Sequence, residues 1–210
     1  MKTVGMDQPS KPEKLNNVLT IITRNLKQNQ IPFAVIGAMA LGLYGLPRFT
    51  ADIDLITEGR FWAALQPMMK RLGYTCSQKT DTFAQFESEL GTLGYIDFMF
   101  VNTPDGSAIL ERRIEIKDEL LGEYPVVQPT DYLILKMMAV ANNPERGIKD
   151  EADIAAFINL LQKGQVPGVF EPLDMERIRL FADRFGQKSL VEKYIARLQP
   201  DKDGGLKFKL

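Results

Sequence analysis

The run from Ile31 to Thr57, IPFAVIGAMALGLYGLPRFTADIDLIT, constrains the fold of this chain more than any other stretch. It holds a short apolar strand, a glycine, a small-residue helix, a Pro-Arg turn and two aspartates one residue apart. Side chains at i and i+2 of a strand point the same way. Asp52 and Asp54 therefore share one face, and Ile53 and Leu55 take the other. Two carboxylates so close repel each other unless a cation lies between them. Hard oxygen ligands in this arrangement suggest Mg²⁺.

The rest of the composition narrows the chemistry by exclusion. No histidine occurs, which removes His-based triads, His-ligated zinc and His general bases together. The single cysteine, Cys76, excludes an intrachain disulfide framework and a Cys-based zinc site, and reads as a small residue in a partly buried strand. Catalysis must then rest on carboxylates, Lys, Arg, Tyr or a metal. A formal net charge of -1 argues against broad electrostatic binding of nucleic acid, though not against a local basic patch. The opening MKTVGMDQPSKPEK has no apolar core, and no apolar run reaches the roughly 20 residues needed to span a bilayer. A cytoplasmic protein is expected, with no membrane partner.

The periodicities predict an α/β (α+β) chain. Leu15, Val18, Leu19, Ile22 and Leu26 recur at helical spacing, so an amphipathic helix is expected from Pro12 to about Gln28. Phe33–Ile36 reads as a buried strand, Met39–Tyr44 as a short helix and Asp52–Ile56 as the next strand. Phe61–Leu72 is expected to be helical, with Pro67 either kinking it or marking a late start. Trp62 is expected to pack into the core. Strands are expected at Tyr74–Ser77, Thr82–Glu87 and Gly94–Val101. The last is apolar on both faces, as a central strand is, yet carries Asp97 in its middle. That aspartate needs a partner: an arginine, a loop to cap, or a metal shared with Asp52 and Asp54. Asn102–Gly106 reads as a turn, Ala108–Arg113 as a helix, and Glu115–Lys117 and Pro125–Val127 as edge-strand pieces. Thr130 reads as the N-cap of a helix running to Asn142. Further helices are expected at Lys149–Leu161, Glu171–Phe185 and Ser189–Leu198, with a Gly/Pro linker at Lys163–Gly168. The change from strands to helices divides the chain into a core at 1–128 and a helical region at 129–210.

Taken in order, strand, Gly-Ala, short helix, Pro-Arg-x-Thr-x-Asp-x-Asp and a later lone Asp on a central strand resemble the nucleotidyltransferase superfamily of DNA polymerase beta. Within it the chain is most similar to the abortive-infection-type toxin nucleotidyltransferases and related proteins of unassigned role. The shared G-x-x-A-L…G…R-x-T-x-D-I-D run is Gly37, Ala40, Leu41, Gly45, Arg48, Thr50, Asp52, Ile53 and Asp54. A second run on helices, K-x-x-A…R-x-K-D-x-x-D, is met by Lys136, Ala139, Arg146, Lys149, Asp150 and Asp153. One extra residue separates Arg146 from Lys149, and Ala38 stands where many members carry Ser. The match runs from Pro32 to Leu161.

The resemblance implies a small mixed sheet flanked by helices, followed by a C-terminal helical region. It implies transfer of a nucleoside monophosphate from a nucleoside triphosphate to a hydroxyl, with Mg²⁺ held by Asp52, Asp54 and Asp97. Asp97 would complete a second metal or deprotonate the acceptor. Gly37 and Ala38 would cradle phosphate, and Lys136 would neutralise the triphosphate. Arg48, with Thr50 beside it in the run, would contact phosphate or order its turn. Lys149, Asp150 and Asp153 would bind ligand or form an internal ion network. Three readings stay open. One is an enzyme, toxin half of a toxin–antitoxin pair, acting on RNA or protein. Another is an antibiotic-type adenylyltransferase for a small hydroxylated molecule. The third is a catalytically inactive nucleotide-binding or interaction module.

Overall fold

A computed structural model describes residues 11–88, 94–118, 122–143, 147–166 and 172–198. The polar N-terminal segment, Arg146, part of the Gly/Pro linker and the terminal DKDGGLKFKL lie outside the described residues. Among the described residues seven strands form one mixed sheet: β1 (Ala34–Val35), β2 (Asp52–Thr57), β3 (Tyr74–Lys79), β4 (Phe83–Ser88), β5 (Tyr95–Phe100), β6 (Ile114–Asp118) and β7 (Gly122–Val126). Their spatial order is β3-β4-β5-β2-β1-β7-β6. The β2–β5 and β1–β7 pairs are parallel and the others antiparallel. β5 is interior, as its two apolar faces predict. β1 is shorter than expected, because Pro32 offers no N–H to a ladder and the chain turns away at Gly37.

The apolar side chains decide which face is covered. Ile53 and Leu55 of β2, Ile96 and Phe98 of β5, and Ala84 and Phe86 of β4 are all fully buried. On β2 this face lies under α1 (Lys11–Gln28), which in turn packs on α3 (Trp62–Arg71), and α3 packs on β3. α1 turns Leu19, Ile22 and Leu26 inward as its spacing requires. Trp62 packs against Phe86 and Phe100, at 5.9 and 6.0 Å between ring centroids. Pro67 lies inside α3 and does not delay its start. Both Pro67 and Ala63, whose carbonyl loses its partner, are on the exposed side, where water can bond the freed oxygen.

Two boundaries differ from the sequence reading. The segment read as a turn before Gly106 is already the first turn of α4 (Pro104–Glu111). Thr103 caps it by accepting the Gly106 N–H at 3.1 Å, and Pro104 begins it without a wasted donor. Thr130 is not an N-cap. α5 (Pro129–Asn142) starts one residue after Gln128, and the Thr130 hydroxyl accepts the Asp174 N–H at 3.0 Å instead. That bond ties α5 to the start of α7 (Met175–Arg184). Buried Asp131 ties α5 to the end of α4, accepting from Arg112 at 3.1 and 3.3 Å, and its Oδ1 also lies 3.8 Å from Arg177 Nε of α7.

α2 (Gly37–Leu43), α5 and α6 (Gly147–Gln162) meet at three aromatic rings. Tyr44 lies 5.7 Å from Tyr132 and 4.7 Å from Phe157, and Tyr132 lies 4.8 Å from Phe157. The Tyr44 hydroxyl donates to the Val127 carbonyl, which fixes the ring at the hinge between β7 and α5. α7 and α8 (Lys188–Leu198) complete the helical region, and buried residues of both regions belong to one continuous cluster. Among the described residues no helix is long and apolar enough to cross a membrane.

Phe157 joins three helices and is fully buried, so Phe157→Ala should cost about 3–5 kcal/mol. Chemical denaturation should register this as a lower midpoint with an unchanged slope.

Candidate active site

The open face of the sheet carries the carboxylates. In the parallel β2–β5 ladder Asp54 stands opposite Asp97, and Asp52 opposite Tyr95. Residues facing each other across a ladder point to the same side, so Asp52, Asp54 and Asp97 share a face. The row continues outward across the sheet. Gln85 of β4 stands opposite Asp97 and donates its amide N–H to Asp97 Oδ1 at 3.0 Å, and Gln78 of β3 stands opposite Gln85.

Gly37 closes the other side. Its φ of +62° belongs to the left-handed region, and a Cβ placed there would overlap the Asp54 carboxylate. The neighbouring Ile36 N–H donates to the Asp54 carbonyl at 3.0 Å. Glycine is therefore needed at 37 for both conformation and space.

Burial first, then the negative charge of Asp97, push the Asp54 carboxyl up to about 6, with Asp52 adding to the effect. Lys136 and Arg48 pull the other way and do not prevail. Removing water and adding like charges both disfavour the ionised form.

The predicted basic residues sit on the helical side of the cleft. Arg48 Nη2 donates to Asp153 Oδ2 at 2.9 Å, and its Nε lies 2.9 Å from Oδ1. Lys136 Nζ donates to Asp150 Oδ1 at 2.7 Å and Asp153 Oδ2 at 2.6 Å. Burial raises the Asp153 carboxyl, but the bonds from Lys136 and Arg48 outweigh it and hold the group below the usual carboxylate range. Lys136 is thus no simple solvated lysine, and Asp150 serves it as an ion-pair partner. Lys149 is exposed at the cleft edge. Thr50, in the turn just before β2, folds back on the chain, its hydroxyl donating to the Asp52 carbonyl at 3.2 Å and accepting the Asp52 N–H at 3.3 Å. Ala38 is buried in the first turn of α2.

All ten residues expected to form the site line one cleft of about 600 Å³ between the open sheet face and α5–α6. Among the members that sequence reasoning missed, Gln85, Gln78 and Tyr132 bear most on the chemistry. Gln85 and Gln78 were hidden because only strand register puts them in one row with Asp97. Tyr132 is buried, lines the cleft four residues before Lys136, and its hydroxyl has no hydrogen-bond partner among the described residues. The spacing i, i+4 from Lys136 was the available signal for it.

Among the described residues no group of three or more Asp, Glu, His or Cys side chains closes into a ready-made metal cage. The donor set nonetheless suits a hard cation. It consists of carboxylates that repel one another, and Mg²⁺ is normally held by one or two carboxylates completed by substrate phosphate and water.

No protein-family model and no curated protein matches the chain. Solved structures do. The antibiotic-resistance factor ANT(2'')-Ia in complex with adenylyl-2''-tobramycin superposes with a TM-score of 0.60 at 13% identity, over 83% of this chain and 98% of that one. Its solution structure gives 0.59 at 12% identity, over 88% and 97%. An antigenic nucleotidyltransferase-like protein from Paracoccidioides brasiliensis gives 0.51 at 17% identity, over 73% and 79%. The chain has the nucleotidyltransferase fold, as its Asp-x-Asp run leads one to expect.

Two outcomes follow from the electrostatics. With chelator present, Asp54→Asn should raise Tm at neutral pH, since it removes a charge that burial and Asp97 oppose. The folded chain holds the Asp54 proton to about pH 6, whereas an unfolded one releases it near its ordinary value of 3.8. Stability therefore falls as pH rises across that window, and the variant should lose this slope. Lys136→Met should cost about 3 kcal/mol in denaturant titration, because it takes the ammonium from Asp150 and leaves buried Asp153 to Arg48 alone.

Proposed function

We propose that this protein is a Mg²⁺-dependent nucleotidyltransferase that moves a nucleoside monophosphate from a nucleoside triphosphate to a hydroxyl. The observation that carries this reading is the Asp54–Asp97 lateral pair, with Asp52 on the same face, lining one cleft with Arg48 of the turn before β2 and with Lys136 and Lys149 of α5–α6. Negative ligands for a metal thus face positive ligands for phosphate across one cleft.

Asp52 and Asp54 would hold the metal, with Asp97 as the third carboxylate. Bound there, Mg²⁺ supplies charge neutralisation for the triphosphate and for the leaving pyrophosphate. Asp97, adjacent to the other two, takes the proton of the acceptor hydroxyl. That oxygen forms a bond to the α-phosphorus while the bond from α-phosphorus to the bridging oxygen breaks. Gln85 holds Asp97 in place from the side. An ammonium group has three donors, and Lys136 commits two to Asp150 and Asp153, so its third is available to phosphate. The Tyr132 hydroxyl, lacking a partner among the described residues, donates to the same substrate oxygens. Gly37 permits close approach of the backbone before Ala38, and Thr50 and Arg48 order the turn that presents Asp52. Lys149 and Asp150 border the triphosphate end. A cytoplasmic setting would provide the triphosphate and the metal.

A second reading keeps the same chemistry but makes the protein the toxin of a toxin–antitoxin pair, with RNA or protein as acceptor. The retained Lys136, Lys149, Asp150 and Asp153 favour it. A catalytically inactive nucleotide-binding module is the alternative outcome of the same test.

Purified protein with Mg²⁺ and each α-labelled nucleoside triphosphate should label an acceptor, and Asp54→Ala should lower the rate at least about a hundredfold. Nucleotide binding by calorimetry without any labelling would instead identify the inactive module. Tyr132→Phe should raise the KM for the triphosphate about tenfold without lowering Tm, because a buried hydroxyl with no protein partner contributes nothing to stability. An unchanged KM would remove Tyr132 from the substrate site.

A further inference from the structure

The cleft is divided by charge, and the division bears on the acceptor, given the transferase reading above. Among the described residues its basic side chains, Arg48, Lys136 and Lys149, lie on the turn before β2 and on α5–α6. From Asp54 the site row runs the other way through Asp97, Gln85 and Gln78, one strand per step. Strands are spaced about 4.8 Å apart, so Gln78 lies about 14 Å from Asp54 and the amide stretch beyond Asp97 spans about 10 Å.

Along this stretch the described residues on the open face are amides, the Thr75 hydroxyl, aromatic or apolar groups and acids. Phe83 stands opposite Met99, and Glu87 opposite Tyr95, which is 40% exposed. The one lysine nearby, Lys79, belongs to the opposite face: its ammonium sits over the rings of Trp62 and Phe100, at 5.1 and 5.2 Å. A nucleic-acid end would bring phosphates into a region whose charged groups on this face, among the described residues, are the acids Asp97 and Glu87. A ring bearing several hydroxyls fits instead. Amide side chains donate and accept at once, and the Phe83 and Tyr95 rings offer flat apolar surface beside them.

We infer that the acceptor is a phosphate-free polyol, neutral or cationic, of one or two sugar rings, bound on the β3–β5 face by Gln78 and Gln85. One hydroxyl of it reaches Asp97, loses its proton there and receives the nucleoside monophosphate as pyrophosphate leaves. Gln78 is exposed on the edge strand β3, with Gln85 between it and Asp97, so it determines specificity without being catalytic.

The test is an acceptor competition with the full chain, Mg²⁺ and an α-labelled triphosphate. One arm holds neutral sugars and amino sugars, a second their phosphorylated forms, and a third a short RNA with a free 3′ hydroxyl. Label is expected on the unphosphorylated sugars. Gln78→Ala should raise the KM of the labelled sugar about tenfold and leave the KM of the triphosphate and the Tm unchanged. Label on RNA, on a protein or on the sugar phosphates overturns this inference and leaves the transferase reading intact. Equal changes in both KM values would also overturn it, since Gln78 would then be merely structural. No label on any acceptor overturns both.

Discussion

The parallel pairing of β2 with β5 is the interaction on which the rest of this structure depends. It brings Asp54 and Asp97 side by side while burying Ile53, Leu55, Ile96 and Phe98 behind them. The apolar face supplies the burial energy, and the acidic face is held in an unfavourable arrangement by it. Asp54 records the cost in its raised affinity for a proton. Binding sites commonly retain strain of this kind, which the surrounding fold over-determines and a ligand relieves.

The helical region answers that acidity across the cleft. Arg48, on the turn leading into β2, is joined to α6 through Asp153, and Lys136 joins α5 to the same carboxylate and to Asp150. This network couples the position of the Asp-x-Asp turn to the packing of α5 and α6. It also places positive charge near Asp54 without neutralising it directly. The aromatic contact of Tyr44, Tyr132 and Phe157 gives the network its rigid footing. An ion cluster so well satisfied is a structural element first, and its spare donor is what remains for a ligand.

Likeness to solved structures at 12–17% identity explains why sequence comparison is silent while the fold is plain. The constraint is carried by few residues: a glycine that leaves room for a carboxylate, aspartates in strand alternation, and buried aliphatic positions that many side chains can fill. Thr103 and Thr130 show the limit of local reading. Both are good capping residues, but Thr103 caps α4 where a turn was expected, and Thr130 is drawn to Asp174 from a distant element. A hydroxyl bonds whichever backbone group folding brings within reach, and sequence does not give that distance.

The sequence alone determined the Asp52/Asp54 face, the central position of the strand carrying Asp97 and the core of α1. Each of these follows from the apolar pattern at a period of two or 3.6 residues, whereas the need for glycine at 37 comes from its φ and from the Asp54 carboxylate beside it. Only the tertiary structure decided that Asp97 stands opposite Asp54, that Lys136 is shared between Asp150 and Asp153, and that Gln78, Gln85 and Tyr132 belong to the cleft. Those facts depend on strand order, register and helix docking. They are set by how apolar surface is buried across the whole chain, and no local pattern encodes them.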